Sequence, residues 1–213
     1  MNRAEVLRAL TAEMTGLGFR RWRSDGEYVM DLGEGFEGWC SFADRTRRGG
    51  RILSVAPFAG VRCTAVEERI ARWCGDVVPG WDERSYVATV STNVGYLRRD
   101  AGWSEHVLDL TEGTPVELVQ GLLADVTDVA LGFFREAASY AGVARALRHG
   151  KGQMPDRRLE RLPLVLALRG DLEEAHRELD LMRRAVEEGA CTTPRYLRYL
   201  AGFEEEFPRT VAR

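Results

Sequence analysis

Histidine and cysteine are scarce, three and four in a chain of 213 residues. Cys40, Cys63, Cys74 and Cys191 are widely spaced, with no CxxC and no histidine following at metal-site distance. That excludes the common structural-zinc and dithiol patterns and leaves reduced core cysteines as the expectation, with no metal and no cofactor. No GxGxxG or Walker phosphate loop is present, and the glycine pair around Phe36 in GFEG has the wrong spacing for either, so nucleotide binding lacks support. The opening MNRAEVLRAL carries no apolar signal run and no stop-transfer stretch follows, which predicts a cytoplasmic protein outside the membrane. An excess of one charge is also lacking, since the net charge is only −3. Divided near Gly60 and Gly150, the segments carry 9 basic and 8 acidic, 9 and 13, and 12 and 12 residues. None has the field of an obligate nucleic-acid binder, and nucleic acid is not the expected partner.

What the chain has is apolar surface, 45% of its residues, enough to bury a core without disulfides or metals. Asn2 with Glu5 forms a capping box, and Val6, Leu10, Met14 and Leu17 continue as one helical stripe to Gly18. The period then changes to two. Tyr28, Met30 and Leu32 alternate with Glu27 and Asp31, and Phe36, Gly38, Cys40 and Phe42 share one side of a second strand, joined through a tight turn at Gly33 to Gly35. A loop from Asp44 to Gly50 leads to a third strand over Arg51 to Ala59, where Pro57 predicts an edge position or a bulge. Thr64 and Glu67 repeat the capping signature before a short helix marked by Val66, Ile70 and Trp73. After a loop over Val77 to Arg84, the alternation Tyr86, Ala88, Val90, Thr92, Val94, Tyr96 predicts the longest strand, and Val107 to Leu110 a short one.

The second half reads as helix throughout. Thr114, Pro115 and Glu117 supply a cap, a first-turn proline and the reciprocal acid. Val119, Leu122, Val126, Val129, Phe133 and Tyr140 then predict one helix of roughly 30 residues reaching His149, with Gly132 or Gly142 as points of bending. Beyond the polar linker Lys151 to Asp156, RLERLPLVLALRG is helical with Pro163 kinking it or resetting its start. Asp171 caps a helix striped by Leu172, Ala175, Leu179, Met182 and Val186, and Thr193 with Pro194 opens a last one carrying Tyr196, Leu197, Leu200 and Phe203. The fold expected is α+β: an antiparallel sheet with packed helices over residues 1–112, then an all-helical extension over 113–213 packed on it.

The phrase LALRGDLEEAHRELDLM resembles one tetratricopeptide-type helical hairpin, a glycine break followed by an acidic cap and a small packing residue, without a second copy at a fixed period. Over residues 5–110 the text LTAEMTGLGFRRWRSDGEYVMDLG, with Phe36 to Phe42 as the next strand, resembles small bacterial proteins of unknown function, some of them like immunity proteins of toxin systems. The resemblance implies a partner-binding protein and no catalytic position.

Arg20, Arg21, Trp22 and Arg23 set positive charge around an aromatic platform, and Arg45, Arg47, Arg48 and Arg51 extend it if their loop folds toward them. Interspersed Asp25, Glu27 and Asp44 favour protein recognition over polyanion binding. Trp39 and Trp73 are expected in the core, and Trp81 and Trp103, beside turns, at the surface as interface anchors. The candidate partner-binding set is thus Arg20, Arg21, Trp22, Arg23, Arg45, Arg47, Arg48, Trp81 and Trp103. Catalytic patterns are weak. Asp125, Asp128 and Glu136 read as an exposed helix face, His149 as a helix C-terminal residue favoured by the dipole, and His176 as a cover on a packing stripe. Cys63 before a helix start is the best nucleophile by position but has no identifiable base. Three hypotheses follow: a noncatalytic protein-binding protein that neutralises or scaffolds its partner; a small-molecule-binding enzyme with a pocket between sheet and long helix, using Cys63 or His106 beside another polar group, with Tyr86, Asn93 and Tyr96 as polar contacts; and a homo-oligomer built through the Leu172 to Val186 stripe.

Overall fold

The computed structural model describes residues 2–22, 26–75, 88–98, 102–152, 155–189 and 194–209. Within them the α+β architecture is an antiparallel sheet packed with helices, followed by a helical C-terminal region. The chain divides into two compact units that do not part at residue 112: Met1–Val61 with Ser91–Ala138, and Arg62–Val90 with Ser139–Arg213.

In the first unit α1 (Arg3–Gly16) begins with the expected box, Asn2 accepting from the Glu5 N–H at 3.1 Å and Glu5 accepting from the Asn2 N–H at 2.8 Å. Strands β1 (Arg20–Arg21), β2 (Glu27–Gly33) and β3 (Phe36–Arg47) follow. Glu34 and Gly35 bridge β2 to β3 with φ of 51° and 78°, the two left-handed residues that a twisted two-residue hairpin requires. Strand β4 (Ile52–Cys63) runs inside the sheet, which has the order β1-β2-β3-β4-β5, with β6 also on β4. The edge reading of Pro57 is therefore corrected. Its missing N–H takes nothing from the β6 ladder, which spans Ile52 to Val55 and stops short of the proline.

Two length expectations also change. Asp44 to Arg47 extend β3 instead of forming a loop, because an exposed strand of arginines shows no apolar alternation to read. The strand expected to be longest is only four residues, β5 (Val90–Asn93), after which Val94–Leu97 tighten into a 3-10 turn capped by Asn93; Tyr86 and Val87 lie outside the described residues. Strand β6 (His106–Asp109) is the predicted short one.

The predicted long helix is three helices. The box of Thr114 and Glu117 opens α3 (Pro115–Asp125), a wide π-type turn covers Val126–Ala130, and α4 (Leu131–Ala137) ends at Ala138. The break falls at neither glycine. Ser139 caps a new helix, α5 (Tyr140–His149), its hydroxyl accepting the Gly142 N–H at 3.0 Å, so a side chain competing for backbone decides the joint. Phe134 lies against the sheet at Gly38, where a Cβ would stand 2.8 Å from its ring, and meets Phe19 edge-on at 6.2 Å. Tyr28 meets Phe42 edge-on at 5.9 Å, and its hydroxyl shares a 2.9 Å bond with Thr11 of α1.

The second unit gathers α2 (Thr64–Cys74), α5, α6 (Pro155–Arg169), α7 (Leu172–Glu187) and α8 (Pro194–Glu206). Pro163 sits inside α6 without resetting its start. Asp171 holds the N-cap position of α7 but makes no side-chain cap bond, turning its carboxylate to Arg169. Ala175, Leu179 and Met182 of the stripe assigned to self-association are buried within the chain, while Leu172 is exposed and Val186 half-buried. Thr193 lies outside the described residues, and in α8 the buried residues are Tyr199 and Phe203 rather than Leu197, which is 59% exposed. Trp73, half-buried rather than core, meets both rings edge-on at 5.5 and 6.4 Å, and Gly202 leaves room for it.

The capping expectation at Thr64 fails. Cys63 is the N-cap residue without a side-chain bond, and Glu67 turns inward to Arg161 of α6 through bonds of 2.9 and 3.0 Å. Glu160 accepts from Arg161 and, at 2.7 Å, from Arg195 of α8, while the Tyr199 hydroxyl donates to the Glu160 backbone carbonyl. Burial opposes the Arg161 charge, and the Glu67 and Glu160 carboxylates outweigh it, so its pKa is raised. Glu67→Ala leaves the buried Arg161 with only the Glu160 carboxylate and without its two-bond partner, and is expected to lower stability in urea unfolding by up to about 3–5 kcal/mol, whereas Glu67→Met with Arg161→Met together should cost clearly less. Equal losses would show that pairing is not what the site supplies.

Candidate functional site

Strand register decides where the candidate residues face. Arg20 pairs with Val29, and Val29 with Trp39, so these three project to one side of the sheet, where Val29 is buried, Trp39 half-buried and Arg20 exposed. Arg45 and Arg47 follow Trp39 at even steps along β3 and share that side. Glu105, just before β6, lies between them, 3.9 Å from Arg45 and 3.5 Å from Arg47. Val107 of β6, two residues on, is 68% exposed, and Trp103 is 56% exposed with its ring edge-on to Phe58 at 5.5 Å. Arg20 reaches Glu37 at 2.7 Å while its guanidinium stands 5.1 Å over the Trp22 ring. Arg51 donates to Asp109 from Nε and Nη2, one edge of its guanidinium, at 2.8 to 3.2 Å, and with the Thr111 groups holds that carboxyl well below its ordinary range.

The sequence-predicted set therefore separates. Arg20, Trp22, Arg45 and Arg47 project to this side of the sheet, and Trp103 stands exposed beside Phe58. Arg21 pairs with Tyr28 and so projects to the opposite side, where it borders a groove of about 490 Å³ with Arg3, Arg8 and Thr11 of α1. Arg48 stands exposed in the turn after β3, at φ 51°. Arg23 and Trp81 lie outside the described residues. Trp39 is half-buried on the candidate face and not in the core.

A second polar cluster lies between β6 and α3. Asp125, read from sequence as part of an exposed face, is 1% exposed, while Asp128 and Glu136 are indeed at the surface. Its two oxygens are divided between Arg98 and His106 Nε2, the latter at 2.7 Å. Position explains the burial: Asp125 comes three residues after Leu122 on the stripe that includes Val119 and Val126, so helical spacing alone placed it inward. Beside it Gly121 presents no side chain, and a Cβ there would lie 3.2 Å from both Cε1 and Nδ1 of His106. The wide π-type turn begins at Val126, directly after Asp125, a deformation frequent at functional sites.

Cys63 is buried, desolvation raises its thiol pKa above the ordinary value, and the α2 amides and Tyr140 hydroxyl only partly offset this. Burial raises the Cys40 thiol further, Cys74 is buried, and Cys191 lies outside the described residues. Asn93 accepts from the Gly95 and Ser104 N–H groups at 3.0 and 2.7 Å and donates to the Ser104 carbonyl at 2.9 Å; it closes a turn rather than marking a pocket. Tyr96 is half-buried, and Tyr86 lies outside the described residues. His149 stands exposed in the last turn of α5. Among the described residues no group of three His, Cys, Asp or Glu can hold a metal ion, and no helix is long and apolar enough to cross a membrane.

Comparison of the chain with protein-family models, with curated proteins and with solved structures finds no match. Asp125→Ala removes the acceptor of two cationic or donor groups and is expected to destabilise the chain by about 1–3 kcal/mol in denaturant unfolding. A loss below a few tenths would mean that the buried carboxylate does not hold β6 to α3.

Proposed function

We propose that this chain is a noncatalytic, cytoplasmic protein-binding protein that neutralises or scaffolds a partner protein through the sheet face bearing Arg20, Arg45, Arg47, Val107 and Trp103. The observation that supports it is that arginines separated in sequence share this face with two exposed apolar side chains. Arginine and tryptophan anchor interfaces because each buries a large area while its polar group keeps a hydrogen-bond partner. The ion pairs to Glu37, Glu105 and Asp109 are exposed and worth little in place. An acidic group on a partner can therefore exchange with them at small cost, and the mixture of signs disfavours a polyanion. Resemblance to immunity-type proteins points the same way.

The test begins with a partner recovered by tagged pull-down and confirmed as a stoichiometric complex by size-exclusion chromatography. The folded variant Arg20→Ala, Arg47→Ala, Trp103→Ala should then bind at least about 30-fold more weakly, the loss of one hot spot or more. Arg135→Ala, exposed on α4, should bind unchanged. Undiminished affinity in the folded triple variant would sink the surface assignment.

A second reading, a small-molecule enzyme at the junction of sheet and helix, is favoured by His106. In a neutral ring whose Nε2 donates to Asp125, Nδ1 carries the lone pair, beside a helix position without a side chain. Turnover of p-nitrophenyl acetate above background that disappears in His106→Gln would support it, and identical rates in both proteins would remove it.

A further inference from the structure

The phrase that resembles a helical hairpin contains a histidine whose environment is unlike that of the other two. His176 on α7 is 7% exposed, lies edge-on to Phe203 at 5.7 Å, and has neither ring nitrogen in a well-formed hydrogen bond, although the Phe207 backbone approaches closely enough to favour the charged ring. Burial holds its pKa below the ordinary value, with the nearby Arg209 charge acting in the same direction, while the Phe207 backbone and Asp180 oppose. A neutral imidazole presents one donor and one acceptor, and burying both without partners is costly enough that such groups in folded chains are rarely left so.

The ring lines a groove of about 290 Å³ whose other walls are Leu172, Glu173, Arg177, Asp180 and Arg209. Its acids are already engaged, Glu173 by Arg177 at 3.1 Å and Asp180 by both Arg183 and Arg209. That doubling matters. Arg209 can turn from Asp180 to a ligand without leaving the carboxylate alone, since Arg183 remains on it. Leu172, 37% exposed, adds an apolar wall.

We propose that this groove binds a small organic monocarboxylate, one oxygen accepting from the His176 N–H, the other taking Arg209, and the apolar part resting on Leu172. The volume falls at the small end of ligand sites, suited to a single compact anion. A carboxylate next to the ring also favours its protonated form, so occupancy raises the His176 pKa.

The experiment uses the full chain labelled with ¹⁵N-histidine and benzoate as the probe, with benzamide as its neutral counterpart. Long-range ¹H–¹⁵N spectra resolve the three rings, and benzoate over about 1–20 mM, the range of a weak site, should shift His176 saturably and raise its titration midpoint while His106 and His149 stay in place. Arg209→Gln, a surface change, should weaken binding about tenfold. An equal response to benzamide, an unchanged affinity in Arg209→Gln, or a His176 signal indifferent to benzoate, as when ordered water alone satisfies the ring, would each overturn the proposal.

Discussion

Alternation along β2 and β3 is the constraint from which the first unit's chemistry follows. Burying Tyr28, Phe36, Cys40 and Phe42 on one side obliges Val29, Glu37, Trp39 and, further out, Arg45 and Arg47 to project to the other. A one-residue slip would exchange the two sets and bury arginine, so the core fixes the arginine face as firmly as it fixes itself. Arg20 joins that face only because β1 pairs in register with Val29, which sends its neighbour Arg21 to the opposite side. Two adjacent, chemically identical side chains thereby acquire different surroundings.

The second unit is organised around charge. Arg161 is 3% exposed and meets carboxylates of 1% and 5% exposure, so its interactions operate away from the screening that makes surface pairs weak. Glu67 belongs to α2, Arg161 and Glu160 to α6, and Arg195 to α8, so one network joins three helices. Apolar packing alone accepts many rotations of a helix about its axis, whereas an arginine fork admits few, and the network sets which faces of α2, α6 and α8 meet.

Local chemistry was legible in the sequence and remote chemistry was not. Asn2 with Glu5 and Thr114 with Glu117 announce helix starts because both partners lie within four residues. Thr64 with Glu67 spells the same signature and means something else, since the partner of Glu67 is 94 residues away at Arg161. Asp125 shows the same limit: its helical phase pointed inward, but only the approach of Arg98 and His106 explains a carboxylate there. The outer half of β3 was hidden for a different reason, because exposed arginines leave no alternation to recognise. Of the candidate residues, the sequence indicated which side chains to watch, and only strand register could separate Arg20 from Arg21.

The two units are interleaved along the chain, each assembled from two separate stretches. A ribosome therefore finishes neither in one continuous run. The sheet unit cannot close until Ala138 has emerged, and by then α2 has long been made without the helices that neutralise Glu67 and hold Arg69, whose partner Glu206 lies 137 residues downstream. Such wide separation slows assembly, since the ordering of intervening chain precedes the contacts that reward it. It also means that no single cut liberates either unit whole; an excised version of the helical one needs two segments rejoined across the gap.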